Sequence, residues 1–131
     1  MITVVIPTFN EIKNISEIIN QLLILDFSSD IEIIIVDDNS RDGTADKVRE
    51  LVHNDKRIRL INRVGRSGLS SAIKEGCLSA SGELVVVMDA DGQHQPSNIL
   101  KAIELIETSK VDIIVGSRFK TGSIIRGLSK S

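Results

Sequence analysis

The sequence has few of the residues on which several classes of protein depend. It contains no Trp, no Tyr and three Phe, so it offers no aromatic platform on which single-stranded nucleic acid could stack. The net charge of −2 provides no general attraction for nucleic acid either. One cysteine, Cys77, excludes an internal disulfide and fits a reducing compartment. We therefore expect a protein that does not bind nucleic acid and works in the cytoplasm.

Long apolar runs are also missing. No run approaches the roughly 20 residues that a membrane-spanning helix needs. The opening residues, MITVVIPTFNE, predict a strand that enters a turn and contain no basic leader, so they do not resemble a signal peptide. The 131 residues, 41% of them apolar, are enough for one domain with a real core. We expect a soluble, single-domain protein.

The segment around which the rest is organised covers residues 83–96, ELVVVMDADGQHQP. The apolar run at 85–88 predicts a strand buried on both faces, and Asp89 and Asp91 follow where that strand ends. In open parallel sheets, ligands bind at this edge. Two neighbouring carboxylates repel each other unless they share a cation, and oxygen ligands suit Mg²⁺ or Mn²⁺. The alternative is that the pair ends the strand and caps the next helix.

The remaining pattern alternates between strands and helices. Strands are predicted at about 2–6, where Pro7 should end the strand, and at 31–36, 57–61 and 111–115. Apolar stripes with helical spacing start at Ile15, Thr44, Leu69 and Pro96, with Asn10 and Ser67 as expected N-caps. This alternation predicts an α/β fold with a mostly parallel sheet and helices on both faces.

Four polar clusters follow four of the predicted strands, at residues 7–11, 37–40, 89–94 and 116–118. Because parallel strands end at the same edge of a sheet, these clusters should meet in one crevice. Together they contain five acidic residues and Arg118, which favours a functional site over random loop polarity. Asp37 is better explained as a residue that organises a turn than as a ligand.

Five motifs in this order resemble the inverting glycosyltransferases of family two, and within them the dolichol- or polyprenol-phosphate mannosyltransferase branch. They are VVIPTFNE, IIIVDDNSRDGT, SGLSSAIKEG, ASGELVVVMDADGQHQP and DIIVGSRF, and they span residues 2–119. The resemblance implies an A-type glycosyltransferase fold, which is Rossmann-like. It also implies a nucleotide-diphosphate sugar, of GDP or UDP type, as donor.

The resemblance further assigns roles to individual residues. It implies that Asp89, Asp91 and Gln93 bind Mg²⁺ or Mn²⁺, and that Asp89, Asp91 and Arg118 form the catalytic group. The residues implied to contact the nucleotide are Pro7, Phe9, Glu11, Val36, Asp38, Asp89, Ala90, Asp91 and Arg118.

The implied reaction is transfer of a sugar, mannose or glucose, to a polyprenyl phosphate with inversion. A divalent cation and a guanidinium would neutralise the departing diphosphate. Because a lipid phosphate is already ionised near neutral pH, no strong general base is required. Such an acceptor would place the protein peripherally at the cytoplasmic face of a membrane.

The departure from the family is at the C-terminus, where complete members continue further. We expect residues 1–120 to form the nucleotide-sugar-binding domain, and residues 121–131 to be a flexible tail that starts a missing acceptor-side region. On this basis the fold would be C-terminally incomplete. The alternative function is then a catalytically incomplete nucleotide-sugar-binding fragment or subunit, which a partner chain or self-association would complete.

A signalling receiver domain is the competing class, because its length and five alternating units match. Those domains carry their acidic pair after the first strand, whereas Asp37 and Asp38 follow the second. No acceptor Asp follows the third predicted strand, which ends in Ile61, Asn62 and Arg63. The pattern therefore favours the glycosyltransferase.

Overall fold

A computed structural model describes residues 1–91, 97–107 and 113–115, which form one alternating α/β unit. Strands and helices follow each other in the predicted order. The strands are β1 (Ile2–Thr8), β2 (Ile31–Asp37), β3 (Ile58–Asn62), β4 (Leu84–Val87) and β5 (Ile113–Val115). The helices are α1 (Ile15–Ile24), α2 (Thr44–Asn54), α3 (Leu69–Ser79) and α4 (Ser97–Glu107). None of these helices is long and apolar enough to cross a bilayer.

The strands form one sheet in the order β3-β2-β1-β4-β5, and every described pair is parallel. Successive side chains of β1 point to opposite faces, as the pleat requires. Val4 and Ile6 pack in a core with residues of α1, α2 and α4, whereas Val5 packs in a second core with α3. The predicted fold class, with helices on both faces of a parallel sheet, is therefore confirmed.

Three local predictions were wrong. Pro7 does not end the first strand: β1 continues through it and pairs with β2 as far as Thr8. This is tolerated because β4 pairs with β1 only as far as Val5, so Pro7 lies where β1 has one neighbour. Asn10 does not cap α1, since its φ is 55° and the helix begins at Ile15. Ser67 does not cap α3, whose N-cap is Gly68.

Helix α3 packs unusually close to the sheet at Gly76. A Cβ atom at this position would overlap the side chain of Val5 and lie 3.0 Å from Cγ2 of Val36. The absence of a side chain at Gly76 therefore sets the distance between α3 and the two central strands. Those strands carry two of the polar loops, so this packing also fixes the base of the crevice.

We predict that Gly76→Ala destabilises the protein. Alanine normally stabilises a helix by about 1 kcal/mol relative to glycine, but overpacking a core typically costs about 1–3 kcal/mol. The clash with Val5 should prevail, and the free energy of unfolding in urea should fall. Ser70→Ala, at an exposed position of the same helix, is the control and should change stability by less than about 0.5 kcal/mol. A stabilised Gly76→Ala variant would contradict the packing.

At the opposite, amino-terminal edge of the sheet, Glu32 is buried in a hydrogen-bond network. Its Oε1 accepts from the hydroxyl of Thr3 at 2.8 Å and from the N–H of Ser81 at 2.6 Å, and Arg59 lies 3.5 Å from Oε2. Burial raises the pKa of Glu32, but these three contacts outweigh it and hold the pKa below its ordinary value of 4.5. The network links β1, β2 and the segment before β4.

The lowered pKa of Glu32 predicts a pH dependence of stability. Its contribution is fully present above the unfolded-state pKa and is lost as the pH falls through the lower folded-state pKa. We expect Glu32→Gln to lose less unfolding free energy than the wild type between roughly pH 5 and pH 3. Denaturant titration at each pH measures this. Glu50→Gln, which removes an exposed carboxylate, is the control, and identical pH profiles for Glu32→Gln and wild type would refute the prediction.

Candidate functional site

The loops after β1 and β2 are joined by the carboxylate of Asp37, which is fully buried. Its Oδ1 accepts from the hydroxyls of Thr8 and Ser40, both at 2.6 Å, and its Oδ2 accepts from the N–H of Ser40 at 2.9 Å. Thr8 lies at the end of β1, and Ser40 lies in the turn after β2. Asp37 therefore organises the turn, as the sequence indicated, and also connects two strands.

A second set of side chains extends this connection. The N–H of Asn10 donates to Ser40 Oγ at 2.8 Å, and Asn10 Oδ1 accepts from the N–H of Arg41 at 3.0 Å. Further along, the N–H of Glu11 donates to Thr44 Oγ1 at 2.9 Å, and the N–H of Ile12 donates to Asp42 Oδ2 at 3.1 Å. Three consecutive backbone amides of the loop after β1 are thus bound by side chains from the turn after β2 and the start of α2.

This connection directs Glu11 towards the acidic pair after β4. Burial is the largest cause that raises the pKa of Glu11 above its ordinary value of 4.5, and a hydrogen bond from Asn14 opposes it. Repulsion from Asp91, from Asp42 and, to the smallest extent, from Asp89 raises the pKa of Glu11 further. Glu11, in the loop after β1, therefore lies within electrostatic range of Asp89 and Asp91, which follow β4 far along the sequence.

These carboxylates match the chemistry of a magnesium or manganese site. Within residues 1–91, 97–107 and 113–115, no three His, Cys, Asp or Glu side chains are grouped closely enough to hold a metal ion by themselves. Mg²⁺ is usually bound through one or two carboxylates together with substrate phosphates, so Asp89 and Asp91 are a sufficient protein contribution. The repulsion felt by Glu11 indicates an excess of negative charge that a cation would relieve.

Asp38 lies at the end of β2 with its carboxylate contacted from two sides. Its Oδ2 accepts from the N–H of Gly68 at 3.0 Å, and its Oδ1 lies 3.1 Å from Nε of Arg63. The side chain is 13% exposed, so a small part of it still reaches the crevice. This oriented acceptor is available for a polar ligand at the edge of the sheet.

The other predicted site residues differ in how far their side chains are exposed. Phe9 is 62% exposed and Pro7 is half-buried in β1, whereas the side chains of Val36 and Ala90 are buried in the core. Gln93 and Arg118 lie outside the described residues. The structure thus places Phe9 at the surface of the first loop, while Val36 and Ala90 shape the core beneath.

Arg63 was missed by the sequence analysis, which considered only that no acceptor Asp follows the third strand. It lies directly after β3 with its side chain 1% exposed, and it contacts Asp38, Glu75 and Ser71. The position of Arg63 in the sequence could have identified it. It directly follows an apolar strand, as Asp38 directly follows the strand before it.

Comparisons with known proteins identify the family of this chain. A family model described as "Glycosyl transferase family 2" matches residues 3–130. A dolichol-phosphate mannosyltransferase of Pyrococcus furiosus is 41% identical over 121 residues, which are 92% of this chain and 34% of that protein. The protein of the same name from Saccharomyces cerevisiae is 34% identical over 123 residues, 92% of this chain and 45% of its own length.

Solved structures show the same similarity. The mannosyltransferase PcManGT from Pyrobaculum calidifontis, in complex with GDP-Man and Mn²⁺, superposes with a TM-score of 0.73 at 29% identity, over 84% of this chain and 33% of that one. TarS 1–349 of S. aureus in complex with UDP-GlcNAc has a TM-score of 0.68 at 25% identity, over 85% of this chain and 32% of that one. The chain thus spans between a third and a half of the length of these relatives.

The proximity of Glu11 to Asp91 can be tested without a ligand. We predict that Asp91→Asn lowers the pKa of Glu11 towards 4.5, because it removes the largest repulsive charge. Titration of the Glu11 carboxyl carbon by NMR measures this. Asp30→Asn, an exposed change before β2 at the other edge of the sheet, is the control. An unchanged pKa of Glu11 in Asp91→Asn would show that the two loops do not meet.

Proposed function

This chain belongs to glycosyl transferase family 2, and from that premise we propose that it binds the donor of a sugar transfer to a polyprenyl phosphate. The donor is a nucleotide-diphosphate sugar. The observation that carries the proposal is the convergence of the acidic loops after β1, β2 and β4. The amides of residues 10–12 bind side chains that follow β2, and the charges of Asp91, Asp42 and Asp89 raise the pKa of Glu11. The transferred sugar is proposed to be mannose, because these relatives are named mannosyltransferases.

Each group of residues is proposed to bind a different part of the donor. Asp89 and Asp91, with Gln93, would hold Mg²⁺ or Mn²⁺, which when bound acts as a Lewis acid on the diphosphate. Asp38 accepts hydrogen bonds from the base or ribose, since a carboxylate is an acceptor that hydroxyl and amide donors can reach. Arg118 is proposed to face the phosphates, because a guanidinium makes charge-assisted bonds to them.

The first loop would flank the nucleotide. Pro7, Phe9 and Glu11 are proposed to lie beside the bound nucleotide. Ser40 and Thr44 accept hydrogen bonds from the backbone of this loop and keep the loop in place before a ligand binds. A preorganised site of this kind does not need to order a loop on binding, which lowers the entropic cost. Positioning and electrostatics would therefore account for most of the catalysis.

The acceptor is proposed as polyprenyl phosphate presented at the cytoplasmic face of a membrane. Its phosphate oxygen would attack the anomeric carbon in line, with inversion, and the bond to the nucleoside diphosphate would break. An ionised phosphate needs no general base, so no carboxylate is assigned to that role.

We also propose a second candidate, in which this chain does not catalyse transfer alone. In this reading, residues 1–120 form a nucleotide-sugar-binding unit that another chain or a second copy completes. Both candidates share the donor site. A turnover assay with nucleotide sugar and polyprenyl phosphate, alone and with candidate partner chains, separates them: turnover by the chain alone supports the first candidate.

We predict that Asp91→Ala removes metal-dependent binding of nucleoside diphosphate. Calorimetric titration with GDP and with UDP, each with Mn²⁺ and after chelation, should show at least a tenfold loss of affinity with the metal, about 1.4 kcal/mol. Affinity after chelation should not fall, because Asp91 contributes to binding through the cation and its carboxylate alone repels a diphosphate.

The control is Asp46→Ala, which removes an exposed carboxylate paired with Arg49 on α2 and should bind like the wild type. Asp91→Ala with full metal-dependent affinity would contradict the proposed site.

A further inference from the structure

Arg63 is a charged residue that is buried in the fold. Its side chain is 1% exposed. A buried guanidinium is tolerated only when anions and acceptors surround it, because its desolvation is otherwise very costly. Its Nη2 donates to Ser71 Oγ at 2.7 Å, and its Nε lies 3.1 Å from Asp38 Oδ1 and 3.4 Å from Glu75 Oε2.

The charges around Arg63 balance. Glu75 is shared with Arg66, whose Nη2 lies 2.9 Å from Glu75 Oε1 and which is largely exposed. Two arginines thus face two carboxylates in a row that runs from the interior to the surface. Without the charge of Arg63, Asp38 and Glu75 would face each other with one cation fewer, and Asp38 would lose its counter-charge.

Asp38 is the member of this cluster that lies directly after β2, at the sheet edge of the proposed donor site. Arg63 contacts one of its oxygens as a charge, without the alignment of a hydrogen bond, and the N–H of Gly68 contacts the other. These contacts come from the end of β3 and from the N-cap of α3, so they define the orientation of the carboxylate. Nε and Nη1 of Arg63 are themselves buried and have no hydrogen-bond partner in the described part of the chain. Because the side chain of Arg63 is 1% exposed and that of Asp38 is 13% exposed, we expect Arg63 to act on a ligand through Asp38.

We propose that Arg63 is a positioning residue for the donor site, which holds the carboxylate of Asp38 in the orientation that accepts hydrogen bonds from the nucleoside. This rests on the proposed function of Asp38. Since Arg63 acts through Asp38, its loss should weaken the binding of the nucleoside and leave that of the diphosphate, which the loop after β4 would bind, unchanged.

The test compares two ligands in a double-mutant cycle. Calorimetry with Mn²⁺ measures GDP and inorganic pyrophosphate on the wild-type chain, Arg63→Gln, Asp38→Asn and the double variant. We expect Arg63→Gln to lose roughly tenfold in GDP affinity and less than about twofold in pyrophosphate affinity. The double variant should bind GDP no more weakly than Asp38→Asn, because the two residues act as one unit.

Additive losses in the double variant, equal losses for both ligands, or unchanged GDP affinity in Arg63→Gln would each overturn the proposal. Arg59→Gln is the matched control, because Arg59 lies on β3, which Arg63 directly follows, and pairs with Glu32 at the opposite edge of the sheet. Arg63→Lys keeps the charge and should recover most of the lost GDP affinity. If Arg63→Gln does not fold, Arg63→Met, which also removes the charge, replaces it in the cycle under the same non-additivity criterion.

A ligand-free measurement separates this proposal from the proposed function. Hydrogen exchange of the Gly68 amide reports its bond to Asp38, and we expect it to accelerate in Arg63→Gln while the Ala72 amide, bonded to Gly68 O, is unchanged. If the wild type binds neither GDP nor pyrophosphate, the proposed function fails, whereas exchange at Gly68 still decides whether Arg63 holds Asp38. Equal exchange rates of the Gly68 amide in the wild type and in Arg63→Gln would show that Arg63 does not hold Asp38 in place.

Discussion

The buried carboxylate of Asp37 is the interaction on which the rest of the site depends. It joins the end of β1 to the turn after β2 through the hydroxyls of Thr8 and Ser40. Without it, the turn would lose its internal partner, and Thr8 at the end of β1 would lose its side-chain bond to β2. Because a buried carboxylate is costly unless its oxygens are satisfied, these hydrogen bonds form together or not at all, which makes the loop geometry a property of the folded sheet.

The second feature is that negative charge is concentrated at one edge of the sheet. Asp91 and Asp89 raise the pKa of Glu11, although all three could be separated if their loops diverged. The fold brings them together because parallel strands end at the same edge, and the connection between the first two loops prevents Glu11 from moving away. Such repulsion lowers stability and is reasonable where a cation and a diphosphate are to be bound. Asp38, held by Arg63 and Gly68, adds an oriented acceptor to the same edge.

The sequence was sufficient to predict the order of elements, because periodicity is a local property and the cores on both faces of the sheet follow it. The third strand, predicted at 57–61, lies at Ile58–Asn62. The sequence was not sufficient to predict that Pro7 lies inside a strand, because this depends on how far a neighbouring strand extends. Nor did it identify the contacts of Asn10, since a side chain that joins residues some thirty positions apart looks like a local cap in sequence. The burial of Arg63 was equally invisible, because only the meeting of β2, β3 and α3 encloses it.

The central claim is that the acidic loops after β1, β2 and β4 form one site for a cation and a nucleoside diphosphate. Crystals of the chain grown with GDP and Mn²⁺, measured at the manganese absorption edge, test it most directly. The account predicts an anomalous peak within coordination distance of Asp89 or Asp91, with the nucleoside against Asp38. A peak elsewhere, or a nucleotide bound away from these loops, would contradict it.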